Sequence, residues 1–222
     1  MPIVRLPGGD LRDEIRQPIY DSLSVAGTAG LIPAGQVNAT AATATPNAFD
    51  GQQFFSNIQG KQRWQTNMLQ ANLLQTAVSF RMQGMALDAQ YAQSNVLDAS
   101  NATQAKSGFL PAVQDFGSLR LRIGEKDYWE GPLGYIMGRI ISNAGTSAYQ
   151  HTGQPAVQGV ILAGRHVVDI NPLQAFFAQL SVDVPAAIDV SANVSLGAVV
   201  LAPNDIVTLK FSLKGLLRRP VQ

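Results

Sequence analysis

The run DIVTLKFSLKGLLRR, residues 205 to 219, constrains this chain more than any other stretch. Val207, Leu209, Phe211 and Leu213 share one parity, and Ile206, Thr208, Lys210 and Ser212 share the other. Successive side chains of a strand point to opposite faces, so this period of two predicts a strand with one face buried and one solvated. Such a strand needs paired neighbours and a second layer over its apolar face.

The same period recurs. In LRLRIGEKDYWEGP, residues 119 to 132, Leu119, Leu121 and Ile123 alternate with Arg120 and Arg122. A polar Gly-Glu-Lys-Asp break follows and a second run begins at Tyr128-Trp129, which predicts a β-hairpin. In TAVSFRMQGMALDA, Val78, Phe80 and Met82 oppose Ser79, Arg81 and Gln83, with Gly84 placed for a bulge or bend. AVQGVILAGRHVVDI holds two strand-like runs around Ala163-Gly164-Arg165, and SVDVPAAIDVSANVSL alternates again. PLGYIMGRII fits either a strand or a short helix. Residues 91 to 109 and 142 to 154 are polar and read as long surface connections. NPLQAFFAQL carries Asn171 as N-cap, Pro172 at the first helical position and Gln174 as the box residue, which predicts a short helix between strands.

Residues 1 to 60 differ in texture. Asp10 as N-cap, Asp13 and Glu14 in a first turn and Pro18 as a stop predict a short helix. The Ala/Gly/Thr/Pro-rich stretch after it has the period of neither helix nor strand, so residues 1 to 60 are read as an N-terminal arm with an extended low-complexity segment. Residues 61 to 222 are read as the domain. About seven to nine short strands over roughly 150 residues point to an all-β fold, an antiparallel β-sandwich with one or two short helices. Eight such strands in two sheets would make a jelly roll, and the length suits a single one.

Chemistry is sparse. With no cysteine, disulfides, thiolate ligands and cysteine nucleophiles are excluded together. The two histidines, His151 in a polar loop and His166 in GRHVVD, supply neither a triad nor the several ligands a cupin-like metal site wants. Glu125, Asp127 and Glu130 read as a solvated turn, with Glu130 answering the arginines across the hairpin, rather than as a glycosidase pair. The expectation is no enzyme, no cofactor, no metal and no small-molecule substrate. No apolar core of signal-peptide length and no apolar run of about 18 residues is present, so the chain is expected to be made in the cytoplasm.

The basic and acidic residues, 16 against 15, demand no polyanionic partner in bulk. Charged residues make up 14% of the chain, against roughly 25% in soluble domains, which suggests a surface covered in part by copies of itself. The C-terminal stretch LKGLLRRPVQ concentrates Lys210, Lys214, Arg218 and Arg219, a candidate contact to nucleic acid or lipid phosphate. Tyr128, Trp129, Tyr135 and Tyr149 are candidates for an interface or a glycan contact.

The stretch FFSNIQGKQRWQTNMLQANLLQTAVSFRMQGMAL, followed by LRLRIGEKDYWEGPLGYI and NPLQAFFAQL, resembles jelly-roll capsid proteins of small tailless icosahedral bacteriophages. The likeness lies in Thr66-Asn67-Met68 before the first long strand, Phe80 to Gly84 within it, and the IGEKDYWE hairpin, and it covers residues 54 to 180. The resemblance implies a virion capsid subunit, in a shell or at a vertex, produced in a host cytoplasm. Its partners would be copies of itself and other capsid proteins, and an internal membrane or the packaged genome through the basic tail. Many such shells use a double jelly roll, for which this chain is short. Two other classes stand beside this one: a receptor- or carbohydrate-binding jelly roll presenting its aromatics, and a sugar-modifying or cupin-like enzyme, against which the missing histidine cluster counts.

Overall fold

The computed structural model describes residues 3–5, 11–26, 46–93, 109–137, 167–185 and 205–220. Their elements are β1 (Ile3–Arg5), β2 (Leu11–Arg16), β3 (Ile19–Ala26), β4 (Gln53–Phe54), β5 (Ser79–Gln93), α1 (Phe109–Phe116), β6 (Gly117–Ile123), β7 (Lys126–Pro132), β8 (Val168–Ile170), β9 (Phe176–Val182) and β10 (Asp205–Pro220), with 3-10 turns at Pro46–Phe49 and Leu133–Tyr135. All ladders between these strands are antiparallel.

The alternating run at 205 becomes the spine of the larger sheet. On one side β5 accompanies β10 from Asp205↔Gln93 to Arg218↔Ser79. The other side is shared: β3 takes Ile206↔Ala26 through Leu213↔Ile19, and β2 takes Leu216↔Arg16 through Pro220↔Arg12. β2 and β3 therefore act as one long strand broken at Gln17-Pro18, where proline has no N–H to give a ladder. β1 pairs with β2, and β8 with the free edge of β5. The smaller sheet runs β4-β9-β6-β7.

The inner faces of the two sheets meet. Leu119, Leu121 and Ile123 from β6 and Val207, Leu209, Phe211 and Leu213 from β10 are all at most 1% exposed in one core, as their parity predicts. The antiparallel β-sandwich expected from the alternation is thus the observed architecture. The hairpin β6–β7 is present too, but the break expected over Gly124 to Asp127 narrows to Gly124-Glu125, because Lys126 and Asp127 already pair with Ile123 and Arg122; Gly124 turns with φ +61°, where a two-residue hairpin turn takes glycine.

The bend expected at Gly84 is a bulge. Met82 faces Gly215 and Gly84 faces Lys214, which leaves Gln83 unopposed. The inward positions of β5 change parity across it, from Phe80 and Met82 to Met85 and Leu87. β10 keeps its parity throughout, and at Gly215 a Cβ would collide with the Arg81 carbonyl and crowd the Phe80 ring. Glycine is what lets the bulged strand lie that close.

Three expectations are corrected. The segment LRDEIRQP is strand β2, not a helix: a two-turn helix gains little against its nucleation cost, whereas β10 offers a full ladder and opposite charges facing Asp13 and Glu14. With β2, β3 and β4 all within the sheets, residues 11–26 and 46–60 are part of the sandwich rather than an arm. The segment 27–45 lies outside the described residues. NPLQ does not open a helix. Gln174 Oε1 accepts the Asn171 N–H at 3.0 Å as in a capping box, yet Leu173 adopts φ +60° and the chain enters β9. Phe176, Ala178, Leu180 and Val182 then point into the core, a period-two burial that outweighs the local cap. PLGYIM resolves into the turn at Leu133–Tyr135 and a bridge from Met137 to Leu87. The sequence reading passes over α1, whose Phe109, Leu110, Ala112 and Val113 are buried, with Phe109 edge-on to Phe49 at 6.3 Å.

Candidate functional site

Two clusters on the larger sheet carry its polar chemistry. The first lies on the outer face, across four strands. Arg81 on β5 grips Asp169 on β8 through Nε at 3.0 Å and Nη2 at 3.3 Å. Arg218 on β10 lies between Glu14 on β2, with Nε at 3.0 Å, and Asp169, at 3.9 Å. Their parity puts all four on the face away from the core, since Arg218 opposes both Ser79 and Glu14, and Arg81 opposes Asp169. The bond to Asp169 holds the Arg81 guanidinium above its ordinary, already basic, pKa. Arg219 points to the other face and stands 3.9 Å from Asp13.

The basic tail is therefore not an appendage. Arg218 and Arg219 lie within β10, and Arg218 keeps only 12% of its side chain exposed. Lys210 donates to the Trp64 carbonyl at 3.1 Å and sits 4.0 Å over the Tyr20 ring. Lys214 is exposed. Lys210 and Arg218 are thus engaged inside the chain, Arg219 stands half exposed, and the four cations do not form one patch.

The second cluster sits where segment 61–68 covers the open edge of β3. Asn67 Oδ1 accepts the Tyr20 N–H at 2.9 Å, its backbone N–H donates to Tyr20 O at 3.3 Å, and Nδ2 donates to Pro18 O at 2.7 Å. Thr66 Oγ1 also donates to Tyr20 O, and the Tyr20 hydroxyl donates to Arg63 O. These bonds occupy ladder positions that a bare edge strand would offer to another chain. In Thr66-Asn67-Met68, singled out in the sequence, the Thr66 and Asn67 side chains make these bonds and Met68 is buried in the core.

Beneath that strap lies Asp21. Its parity, shared with Ile19, Leu23 and Val25, points it into the core opposite Phe211. Lys61 Nζ reaches both carboxylate oxygens at 2.9 Å and donates to Ser22 O at 2.7 Å, while the Phe55 N–H donates to Oδ2 at 2.7 Å. The side chains are 1% and 0% exposed. Burial pushes the Asp21 carboxyl above its ordinary value; the Lys61 charge, and hydrogen bonds from Lys61, Phe55 and Ser22, oppose that push. Sequence reasoning missed the pair because it placed residue 21 in an arm. The signal was a charged residue at an apolar parity.

The aromatic candidates are not gathered either. Tyr128 is exposed at 43% on β7, where a bulge opposite Leu121 and Arg122 leaves it unpaired. Trp129 turns inward and packs against the core, and Tyr135 is 73% exposed beyond the far end of β7. Glu125, Asp127 and Glu130 are exposed. Arg120 faces Glu130 in the ladder, but its Nη2 donates to Gln179 on β9 at 2.8 Å. His151, His166 and Tyr149 lie outside the described residues. Among the described residues no group of three or more His, Cys, Asp or Glu side chains is placed to hold a metal, and no helix is long and apolar enough to cross a membrane. Comparison with known proteins finds no matching family model, curated protein or solved structure.

Proposed function

We propose that this chain is a virion capsid subunit built on a single jelly roll, which tiles an icosahedral shell beside copies of itself and other capsid proteins. The observation that carries this reading is strand order. Counting β3 to β10 among the described residues as eight, one sheet runs first, eighth, third, sixth, and the other runs second, seventh, fourth, fifth. That order is what two interleaved Greek keys produce when a long antiparallel ribbon folds over into two sheets.

A fold alone does not assign a function. Surface character narrows it. With 14% charged residues and exposed Trp64, Leu69, Tyr135 and Leu173, the chain offers neutral, partly apolar surface of the kind that neighbours cover. The outer-face ion ladder adds polar surface, and Lys214 and the half-exposed Arg219 are tail cations open to genome or membrane phosphate. Negative-stain electron microscopy and sedimentation of the purified chain test the reading. Closed particles, or pentamers or trimers able to tile, are expected; a monomer at every concentration and ionic strength, alone or with its co-expressed virion proteins, overturns it.

Tyr128 and Tyr135 favour a second reading, a receptor- or carbohydrate-binding module, because each exposes an aromatic ring with one polar end. Saturable glycan binding lost in Tyr128→Ala or Tyr135→Ala would select it over the shell.

A further inference from the structure

We propose that Lys61 and Asp21 join covalently, through an amide between Nζ and Cγ formed within the folded chain with loss of one water. The geometry points to it. The two reacting side chains are held in contact, with Nζ 2.9 Å from each oxygen of the carboxylate whose Cγ it would attack, and both are withdrawn from solvent. The backbone groups that satisfy the ion pair would also satisfy the product. An amide needs one acceptor for its N–H and one donor for its C=O, and the site holds Ser22 O 2.7 Å from Nζ and the Phe55 N–H 2.7 Å from Oδ2.

The step balances without a co-reactant. The ammonium passes one proton to Asp21 Oδ1, giving a neutral amine and a neutral acid, a transfer that the burial of the pair, with Asp21 opposite Phe211 in the ladder, favours. Burial acts in the same sense on the carboxyl, holding its pKa above the ordinary value. The amine lone pair then attacks Cγ, and the negative charge gathers on Oδ2, where the Phe55 N–H receives it. A second proton moves from nitrogen to the Oδ1 hydroxyl, which leaves as water. The remaining N–H stays on Ser22 O. The product is neutral, so it removes the desolvation that two buried ions impose. It also gives a cysteine-free chain a covalent tie across the loop from residue 21 to residue 61, fastening the strap to the edge of β3.

Mass spectrometry of the denatured full chain decides the matter, and its reading does not depend on any variant folding. The wild-type chain is expected one water lighter than its sequence, and a protease digest should contain a branched peptide joining the segments around 21 and 61. Lys61→Arg, which cannot form the amide, should show its full sequence mass. A wild-type chain at full mass with two linear peptides after prolonged incubation at neutral pH overturns the proposal, and so does a deficit that persists in Lys61→Arg.

Discussion

Phe211 on β10 and Phe54 on β4 lie 5.4 Å apart, ring centroid to ring centroid, and belong to different sheets. Phe55, one residue on, contacts Phe211 at 6.0 Å and Phe176 on β9 at 5.2 Å. These rings join the larger sheet to the smaller one beside the Asp21–Lys61 pair. Each buried ring removes a large apolar area from water and gains from its tilted neighbours.

Leu209 occupies the same inner face and is fully buried. Leu209→Asp places a carboxylate there with no partner, at a cost of several kcal/mol, comparable to the whole stability of a typical domain. Loss of the cooperative thermal transition at neutral pH is the expected result. A variant as stable as its parent would show that the inward parity of β10 is wrong.

Lys61→Met strands Asp21 in the core without its counter-charge and should cost about 3–5 kcal/mol at neutral pH. The cost depends on pH in a known direction. Burial, now unopposed by Lys61, holds the folded-state pKa above the unfolded value of about 4. The folded state therefore keeps a proton that the unfolded chain has lost, and stability falls as pH rises from the unfolded value through the folded one. Urea midpoints of this variant should be higher in mild acid than at pH 7. A flat profile would argue that the Asp21 carboxyl reaches water.

Gly215→Ala tests the bulge. Its Cβ would meet a backbone carbonyl, which cannot rotate away, so a loss of about 1–3 kcal/mol is expected. Exposed Gly134, with nothing within 4 Å of a built Cβ, is the control: Gly134→Ala should leave the melting temperature close to that of the parent.

The two tail arginines should separate. Arg218→Ala removes contacts to Glu14 and Asp169 and should cost about 1 kcal/mol, whereas half-exposed Arg219→Ala should stay within about 0.5 kcal/mol. If the ladder also stiffens a shell subunit, Arg218→Ala lowers particle yield and Arg219→Ala does not. Equal yields from both, with normal contents, would confine the ladder to monomer stability.

What could be read along the chain was whatever a strand writes into its own residues. Side chains alternate in any strand, so the burial of Leu119, Leu121, Ile123 and the odd positions of β10 was legible without knowing their partners. The turn at Gly124 and the bulge beside Gly84 were legible for the same reason, since each is a local backbone demand.

The errors fell where two local signals competed or where the partner was remote. NPLQAFFAQL holds both a helix cap and a strand period, and only the presence of β6 beside it, with Leu119 opposite Leu180, made the strand period the stronger. LRDEIRQP has helix punctuation, yet β10, some 200 residues further on, supplies the ladder and the arginines that hold it extended. Asp21 and Lys61 carry no joint signature at all. Their pairing depends on segment 61–68 folding back along β3, and a contact of that kind exists only once the sheets have formed, because neither a buried carboxylate nor a buried ammonium is tolerable in the core without the other.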